Sequence, residues 1–383
     1  MRVGVDGRSL RSSASSRGVS RYVHHLLAAL GRGFPGDEYT VLVPAGAGVD
    51  TGELEAAGVE LRSPAVDSRL LFGAAALTGR PRVDRLLGGC DVVFVPAIAP
   101  VAVSREVPLV LTVHDLTFEH RPKDFTPYSR AWHRVARPRR LAHRAARVIT
   151  VSESVRRDLL SEWRLPAEDV VSIPSGPGSA PRGPGSAPGE PGSAPGDPGS
   201  APGEPAPLPP GVPARYVLAV GALEPRKRPD LLVQAHARAR ANGLQAELVL
   251  AGDGPMRAEL EGSQATVLGY VDDATLEGLY ANALALVCVS REEGFSFTPL
   301  EAIARDTPAI VSDLPVFAET LGDGALRVPP GDAEALAHAL LALERDGELR
   351  ERLVTSGKAA LARLSWDRAA ADTREVLREA ARP

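Results

Sequence analysis

The sequence predicts an α/β protein with two doubly wound domains, each built on a parallel sheet. Short, continuous apolar runs rich in β-branched residues alternate with helical patterns on both sides of a proline-rich repeat. Such runs are typical of strands buried on both faces of a parallel sheet. A chain of 383 residues is also long enough for two hydrophobic cores. We expect a cleft between the carboxyl ends of the two sheets, where ligands of this architecture bind.

Changes in composition along the sequence divide the chain into four segments. We predict an N-terminal domain over residues 1–173, a repeat linker over 174–213, a C-terminal domain over 214–364, and a final helix over 365–383 that packs back towards the N-terminal domain. PGSAP recurs four times in the linker with a period of seven, and proline and glycine in every repeat exclude a helix. Because this segment has little to bury, it is expected to be a flexible or extended spacer.

The strands and helices are predicted from periodicity. The predicted strands before the linker are RVGVD, YTVLVP, DVVFVP, VPLVLTV and RVITVS, and those after it are RYVLAVG, AELVLAG, ATVLG, LALVCVS and TPAIVSD. Helical spacing of apolar residues predicts helices over residues 19–30, 229–242 and 275–283. The alternation of the two types predicts a doubly wound order in each domain.

Composition excludes several classes of protein. The chain carries 44 Lys+Arg and 48 Asp+Glu, a net charge of −4, and lacks the basic excess of a nucleic-acid-binding protein. Its two cysteines, Cys90 and Cys288, lie far apart and predict neither a disulfide scaffold nor a metal site. The chain starts directly with a strand, and no apolar run is long enough to cross a bilayer. We therefore expect a cytoplasmic protein.

One basic segment, residues 130–147, contains seven arginines and no acidic residue. Its apolar residues recur at helical spacing. The favoured interpretation is a solvated helix face in an arginine-rich protein. The alternative is a basic amphipathic helix in peripheral contact with the anionic inner face of a membrane.

The stretch SREEGFSFTPLEAIA places Glu293 and Glu301 eight positions apart. Pro299 suits the first position of a helix, so Thr298 is predicted to be its N-cap and Glu301 to complete a capping box. Glu293 lies in the preceding loop and has no capping role. It is either a solvated loop acid or a ligand contact at the carboxyl edge of the sheet.

The loop after Glu293 is a candidate anion site, because it ends at a helix N-terminus whose backbone N–H groups attract negative charge. Its residues are Gly294, Phe295, Ser296, Phe297 and Thr298. A second candidate is Arg226 with Lys227, adjacent cations that follow the strand in AVGALEPRKRPDLL. Together they suit a pyrophosphate, with arginine for a bidentate grip and lysine as a point charge. The competing interpretation is a solvated basic turn.

Two further candidates are weaker. His114 follows a buried strand in VLTVHDL, and a single histidine there is as often structural as functional. The loop after the first strand, which includes Gly18, is small and polar but lacks the spacing of a phosphate motif. The eight histidines are scattered without metal-ligand spacing, so no metal site is expected.

Several segments, in order, resemble one family: the retaining glycosyltransferases of the GT-B fold in the group-4 class, also called group 1 glycosyltransferases. Glu293 and Glu301 resemble its E-x7-E signature. The other matching segments are TVHDLTF, RVITVSESVRRDLL, VGALEPRKRPDLLVQAHA, LVLAGDGP, LGYVDDATLEGLYANALALV and SWDRAAADTREVLREA. The resemblance covers nearly the whole chain except the repeat linker.

The resemblance implies transfer of a sugar from a nucleotide-sugar donor with retention of its anomeric configuration. It implies that Glu293 contacts the hydroxyls of the donor sugar and that Glu301 holds the ribose. Arg226 and Lys227 would stabilise the leaving diphosphate in place of a divalent metal, so no cofactor is expected.

The resemblance also implies roles for residues of the first domain. His114 would lie near the donor sugar, and the loop with Gly18 would face the acceptor and the diphosphate. The acceptor is expected to be a glycan, a lipid-linked intermediate or a small molecule.

The chain departs from the family pattern at several positions. Ala222 stands where the family often has arginine, and Ser20 interrupts its usual Gly-x-Gly. Ser296 and Phe297 replace the commoner glycine and leucine. Mannose from GDP-mannose is the leading donor, and UDP-glucose is the alternative. A nucleotide-sugar epimerase and a non-catalytic nucleotide-sugar-binding protein are the competing classes.

Overall fold

The computed structural model describes most of the chain, namely residues 1–10, 18–43, 51–63, 73, 75, 78–178 and 208–382. The chain forms two compact units: the first unit is Met1–Gly176 with Leu364–Pro383, and the second unit is Pro177–Arg363. Most PGSAP repeats lie at residues 179–207, outside the described residues, so the predicted linker stays a prediction.

The first unit contains a parallel seven-stranded sheet in the order β3-β2-β1-β4-β5-β6-β7. Its strands are β1 Arg2–Asp6, β2 Glu38–Leu42, β3 Glu60–Arg62, β4 Val92–Val95, β5 Leu109–Val113, β6 Arg147–Thr150 and β7 Val170–Ser172. Its helices up to the linker are α1 Gly18–Gly33, α2 Gly52–Ala56, α3 Val83–Leu86, α4 Thr117–His120, α5 Pro127–Ala136, α6 Pro138–Arg144 and α7 Glu153–Asp158. A π-helical turn, Leu159–Trp163, continues α7.

The second unit contains a parallel six-stranded sheet in the order β10-β9-β8-β11-β12-β13. Its strands are β8 Tyr216–Val220, β9 Glu247–Ala251, β10 Thr266–Gly269, β11 Ala285–Cys288, β12 Ala309–Ser312 and β13 Ala325–Val328. Its helices are α8 Pro229–Ala241, α9 Arg257–Glu261, α10 Asp273–Asn282, α11 Phe297–Ile303, α12 Pro315–Leu321, α13 Ala333–Arg345 and α14 Gly347–Leu361. The predicted fold class, two doubly wound α/β units, is confirmed.

All ten predicted strands are present, and the sheets contain three that were not predicted: β3, β7 and β13. Each of these three lies at the edge of its sheet. An edge strand pairs on one side only, so its sequence is shorter or more polar than that of a central strand. The β3 sequence, Glu-Leu-Arg, contains a single apolar residue.

The prediction of one basic helix over residues 130–147 is wrong. The segment forms two helices, α5 and α6, separated at Arg137, whose φ is +49°. Pro138 begins α6 and cannot continue the hydrogen-bond pattern of α5, which ends the first helix at Ala136.

The last helix, α15 Trp366–Ala381, belongs to the first unit. Arg374 Nε donates to Asp37 Oδ2 at 2.5 Å, and its guanidinium carbon lies 4.6 Å from the ring centroid of Phe34. The ring of Trp366 lies 5.9 Å from that of Tyr22 on α1. These contacts tie the end of the chain to the beginning of the same unit.

In the part of the chain that the structure describes, no helix combines the length and the apolar character needed to span a bilayer.

Candidate active site

The candidate site lies at the carboxyl edge of the second sheet, where the strand order reverses between β8 and β11. In doubly wound sheets the connections on either side of such a point leave in opposite directions, which opens a crevice above the strands. The loop after β8 contains Arg226 and Lys227, and the loop after β11 contains Glu293.

Close backbone packing positions the loop after β8. Gly221 and Gly252 have φ values of +137° and +148°, and a Cβ on Gly252 would stand 1.9 Å from the carbonyl oxygen of Gly221. Glycine is therefore required at position 252. The chain then forms a 3₁₀ turn, Pro225–Lys227, which presents adjacent cations towards the neighbouring loop.

The centre of the site is an ion cluster between the two loops. Lys227 Nζ lies 2.5 Å from Glu293 Oε1, and Arg226 Nη1 lies 3.2 Å from Glu293 Oε2. The side chain of Glu293 is only 7% exposed. Arg226 also donates from Nη1 to the carbonyl oxygen of Glu292, and Arg226 accepts a backbone hydrogen bond from Arg291 at 2.9 Å. The sequence-predicted cations and Glu293 therefore form one site.

Glu293 is ionised at neutral pH. Burial by itself would raise the pKa of its carboxyl, but the charges of Lys227 and Arg226, with hydrogen bonds from Lys227 and Ser290, lower the pKa to about 2. A carboxylate in this state accepts hydrogen bonds and does not donate a proton. It therefore suits contact with hydroxyl groups and does not suit general-acid catalysis.

Neighbouring carboxylates hold the cations in place. Glu224 Oε1 accepts from Arg226 Nη2 at 3.0 Å, which fixes the guanidinium on the side away from Glu293. Arg228, the third cation of the run, pairs instead with Asp230 at 3.0 Å. Sequence reasoning did not single out Glu224 or Ser290, although both lie within three residues of a predicted site residue.

Glu301 has a different environment from Glu293. It lies within α11, is 2% exposed, and accepts a hydrogen bond from Tyr280 Oη at 2.9 Å. The predicted capping box is wrong, because α11 begins at Phe297, two residues earlier than predicted, and Ser296 is the N-cap. Thr298 Oγ1 is buried without a hydrogen-bond partner among the described residues. Nothing in the spacing of the sequence pointed to Tyr280.

Gly178 lies directly against the carboxylate of Glu301. A Cβ at position 178 would stand 2.0 Å from Glu301 Oε1, closer than any real contact of this kind. The start of the repeat segment therefore covers the acid that the family resemblance assigns to the ribose.

The loop from Glu293 to α11 is compact and strained. Gly294 and Phe295 are buried, and the rings of Phe295 and Phe297 meet edge to face at 5.5 Å. Ser296 has φ +67° and ψ +105°, a backbone conformation that disfavours residues with a Cβ. The family's commoner glycine would adopt it without strain. Strain of this kind persists where the surroundings fix the backbone, and it is frequent at functional sites.

In the first unit, His114 lies at the carboxyl end of β5. Its Nε2 donates to the carbonyl oxygen of Pro96 at 2.8 Å, and the Tyr22 ring meets it edge-on with centroids 4.7 Å apart. Burial lowers the pKa of His114, although its hydrogen bond to Pro96 opposes the shift, so the imidazole is neutral at pH 7. Gly18 begins α1, and residues 11–17 of the first loop lie outside the described residues.

Fold and site together define a GT-B protein built of two α/β units. The chain belongs to the group 1 glycosyltransferases. The family model described as glycosyl transferases group 1 matches residues 205–360, and the model described as glycosyltransferase family 4 matches residues 16–176. The two matches fall on either side of the repeat segment. The predicted family is therefore confirmed.

Individual proteins resemble parts of the chain. The O-antigen chain mannosyltransferase RfbU of Salmonella typhimurium is 46% identical over 80 residues, 21% of this chain and 23% of that protein. The phosphatidyl-myo-inositol mannosyltransferase of Mycobacterium leprae is 36% identical over 152 residues, 37% of this chain and 40% of that protein. The chain thus spans less than half the length of these curated relatives.

Among solved structures, Anabaena Alr3699/HepE in complex with UDP and glucose matches with a TM-score of 0.65. The match covers 98% of this chain and 99% of that chain at 17% sequence identity. At this identity the likeness shows the fold alone.

The ion cluster predicts a pH dependence of stability. Because the pKa of Glu293 is lowered from 4.5 to about 2 in the folded protein, its contribution is complete above pH 4.5 and is lost as pH falls towards 2. We expect Glu293→Gln to lower the free energy of unfolding by about 2 kcal/mol at neutral pH, since two partly buried cations lose their counter-charge. The variant should also depend less on pH than the wild type between pH 4.5 and 2.

Urea unfolding followed by circular dichroism at several pH values measures this difference. Glu348→Gln, at an exposed position of α14, is the matched control and should leave the pH dependence unchanged. Parallel pH curves for wild type and Glu293→Gln would show that the cluster does not hold Glu293 ionised.

Proposed function

We propose that this protein is a retaining glycosyltransferase that moves a hexose, with mannose from GDP-mannose as the donor, to a glycan, lipid-linked or small-molecule acceptor. The proposal includes a cytoplasmic protein in peripheral contact with the inner face of the membrane. The observation that carries the proposal is the cluster of Glu293, Arg226 and Lys227 at the switch point of the second sheet. Two relatives named above are mannosyltransferases, which supports mannose as the sugar.

The cluster suits the charges of this reaction. The bond between the anomeric carbon and the diphosphate oxygen breaks, so negative charge develops on the leaving diphosphate and positive charge on the sugar. Fixed cations at the leaving group stabilise this charge without a metal ion, and we assign that role to Lys227 and Arg226. Among the described residues, no group of three His, Cys, Asp or Glu side chains could hold a metal ion.

We assign Glu293 to the hydroxyls of the donor sugar, because its ionised carboxylate accepts hydrogen bonds. Its oxygens also lie beside the two cations that we assign to the leaving diphosphate. On the front-face route that the family implies, the acceptor oxygen bonds to the anomeric carbon on the side the diphosphate leaves. The acceptor proton then passes to a leaving phosphate oxygen. On this route Glu293 neither donates a proton nor forms a covalent bond.

Lys227→Ala is expected to lower kcat/KM by at least about 100-fold, because a charged donor to the leaving group is lost. Sugar transfer from GDP-mannose to a panel of glycan and lipid acceptors measures the loss. Lys358→Ala is the matched control, since Lys358 pairs with Asp306 on the same unit and should keep full activity. Activity of Lys227→Ala equal to the control would remove the diphosphate assignment.

Nucleotide binding tests the donor. Calorimetry with GDP, UDP, ADP and dTDP, each in the presence of EDTA, is expected to show the tightest binding for GDP. A preference for UDP would contradict GDP-mannose and favour UDP-glucose or a related donor. If none of the four binds, with or without magnesium, the proposed function is wrong.

The contact of Gly178 with Glu301 predicts that a nucleotide displaces this segment when its ribose reaches the carboxylate. Since φ of Gly178 is not in the left-handed range, the clash with Glu301 is the main cost of Gly178→Ala. The clash weakens the covered state, so the apparent Kd of the bound nucleotide should fall, by about fivefold for each 1 kcal/mol of clash.

The matched control is Gly36→Ala, at a position where an added Cβ meets no atom within 4 Å. Calorimetry with the preferred nucleotide compares both variants with the wild type. An unchanged or higher Kd for Gly178→Ala would show that the segment does not compete with the ribose.

A further inference from the structure

A cavity of about 500 Å³ lies on the surface of the first unit, lined by α4, the segment that follows it, and the helices α5 and α6. Its aromatic wall consists of Phe118, Phe125 and His133. Its arginines are Arg130, Arg134, Arg137, Arg139 and Arg140. Neither the sugar nor the nucleotide assignments above use any of these residues.

The aromatic wall is ordered and uncharged at neutral pH. The rings of Phe118 and His133 stack with centroids 4.5 Å apart and an interplanar angle of 3°, and Phe125 meets His133 edge-on at 5.5 Å. His133 Nδ1 donates to the carbonyl oxygen of Ser129 at 2.8 Å, which fixes the ring. Burial lowers the pKa of His133, so the wall offers apolar contact and no charge of its own at pH 7.

The arginines of the cavity are mostly uncompensated. Arg139 pairs with Glu119 at 2.6 Å, and Glu119 is the single acidic residue of the lining. The other four arginines are exposed, and none of their side chains has a hydrogen bond or ion pair to another residue that the structure describes. Four unpaired guanidinium groups around one concave apolar surface attract an anion, and arginine is the preferred partner of phosphate.

An apolar stripe accompanies these charges. Tyr128 and Val135 on α5 are 65% and 45% exposed, and only one other large hydrophobic residue in the described part of the chain is as exposed. Trp132 lies between them at helical spacing, i, i+4 and i+7. The arginines 130, 134 and 137 follow the same spacing on α5 and its end. A soluble anion needs only the charge, whereas a lipid surface uses both charge and exposed aromatic groups.

We infer that this cavity binds the phosphate headgroup of an anionic membrane lipid, with the stripe of Tyr128, Trp132 and Val135 in contact with the bilayer interface. The break between α5 and α6 at Arg137 places arginines from both helices around one headgroup, which a single continuous helix would spread along its length. The inference names the surface for the membrane contact proposed above. Its test does not require sugar transfer, so the two proposals can fail separately.

Vesicle co-sedimentation with the full chain tests the inference. The wild type is expected to bind vesicles of phosphatidylcholine with 30% phosphatidylglycerol and not vesicles of phosphatidylcholine alone. Each arginine near an anionic surface contributes about a fivefold gain in binding, so Arg130→Gln with Arg134→Gln should weaken binding by about 25-fold. Arg85→Gln with Arg105→Gln removes the same charge from exposed positions of the same unit outside the cavity, and it should bind like the wild type.

A second variant is expected to gain affinity. Glu119→Gln removes the one acid of the lining and frees Arg139, while its amide oxygen can still accept from Trp163 Nε1, as Glu119 does at 3.1 Å. Binding to the phosphatidylglycerol vesicles should tighten by about fivefold. This result cannot come from a misfolded variant.

Three outcomes would overturn the inference. Equal loss in the cavity variant and the control would show that only net charge matters. No tightening by Glu119→Gln would show that the headgroup does not enter the cavity. Binding of glycerol 1-phosphate by a protein that does not bind the phosphatidylglycerol vesicles would show that the cavity takes a free phosphate and not a membrane lipid.

Discussion

One buried carboxylate, held by two cations from a different loop, organises the candidate active site. Glu293 and Lys227 are 66 residues apart in the chain, and they meet because β8 and β11 are neighbours in a parallel sheet. Burial would drive Glu293 towards its neutral form, and the two paired cations, with a hydrogen bond from Ser290, keep it charged. The conformation of both loops therefore depends on the cluster. A ligand that separates these groups must supply new partners for each of them: hydroxyls that donate to the carboxylate, and an anion that pairs with the cations.

The two acids of the E-x7-E spacing do not form a matched catalytic pair. Glu293 precedes α11 and is ion-paired, whereas Glu301 lies inside α11 and accepts a hydrogen bond from the Tyr280 hydroxyl. Their different surroundings follow from the start of the helix at Phe297, which puts Glu301 on the second turn and faces it towards α10. The strained backbone of Ser296 joins the two environments.

The central strands of both sheets could be predicted from sequence, because strands buried on both faces have continuous apolar sequences. The edge strands β3, β7 and β13 could not, since half of their pairing and burial is absent. The cation pair and Glu293 could be placed together because both follow strands at one edge of a sheet. The helix start and the Tyr280 contact could not, because a strained N-cap and a hydrogen bond between distant residues leave no local pattern.

The cationic clusters of the two units differ in whether the fold provides carboxylate partners for them. In the second unit Arg226, Lys227 and Arg228 each have a carboxylate partner, so their positions follow from the folded chain itself. In the first unit Arg130 and Arg134 have none among the described residues, and their mutual repulsion opposes folding. This cluster costs stability, and it is arranged around an aromatic cavity. We attribute it to a binding partner outside the chain. An anionic headgroup supplies the missing charge, and the aromatic wall supplies the surface that a simple counter-ion would not need.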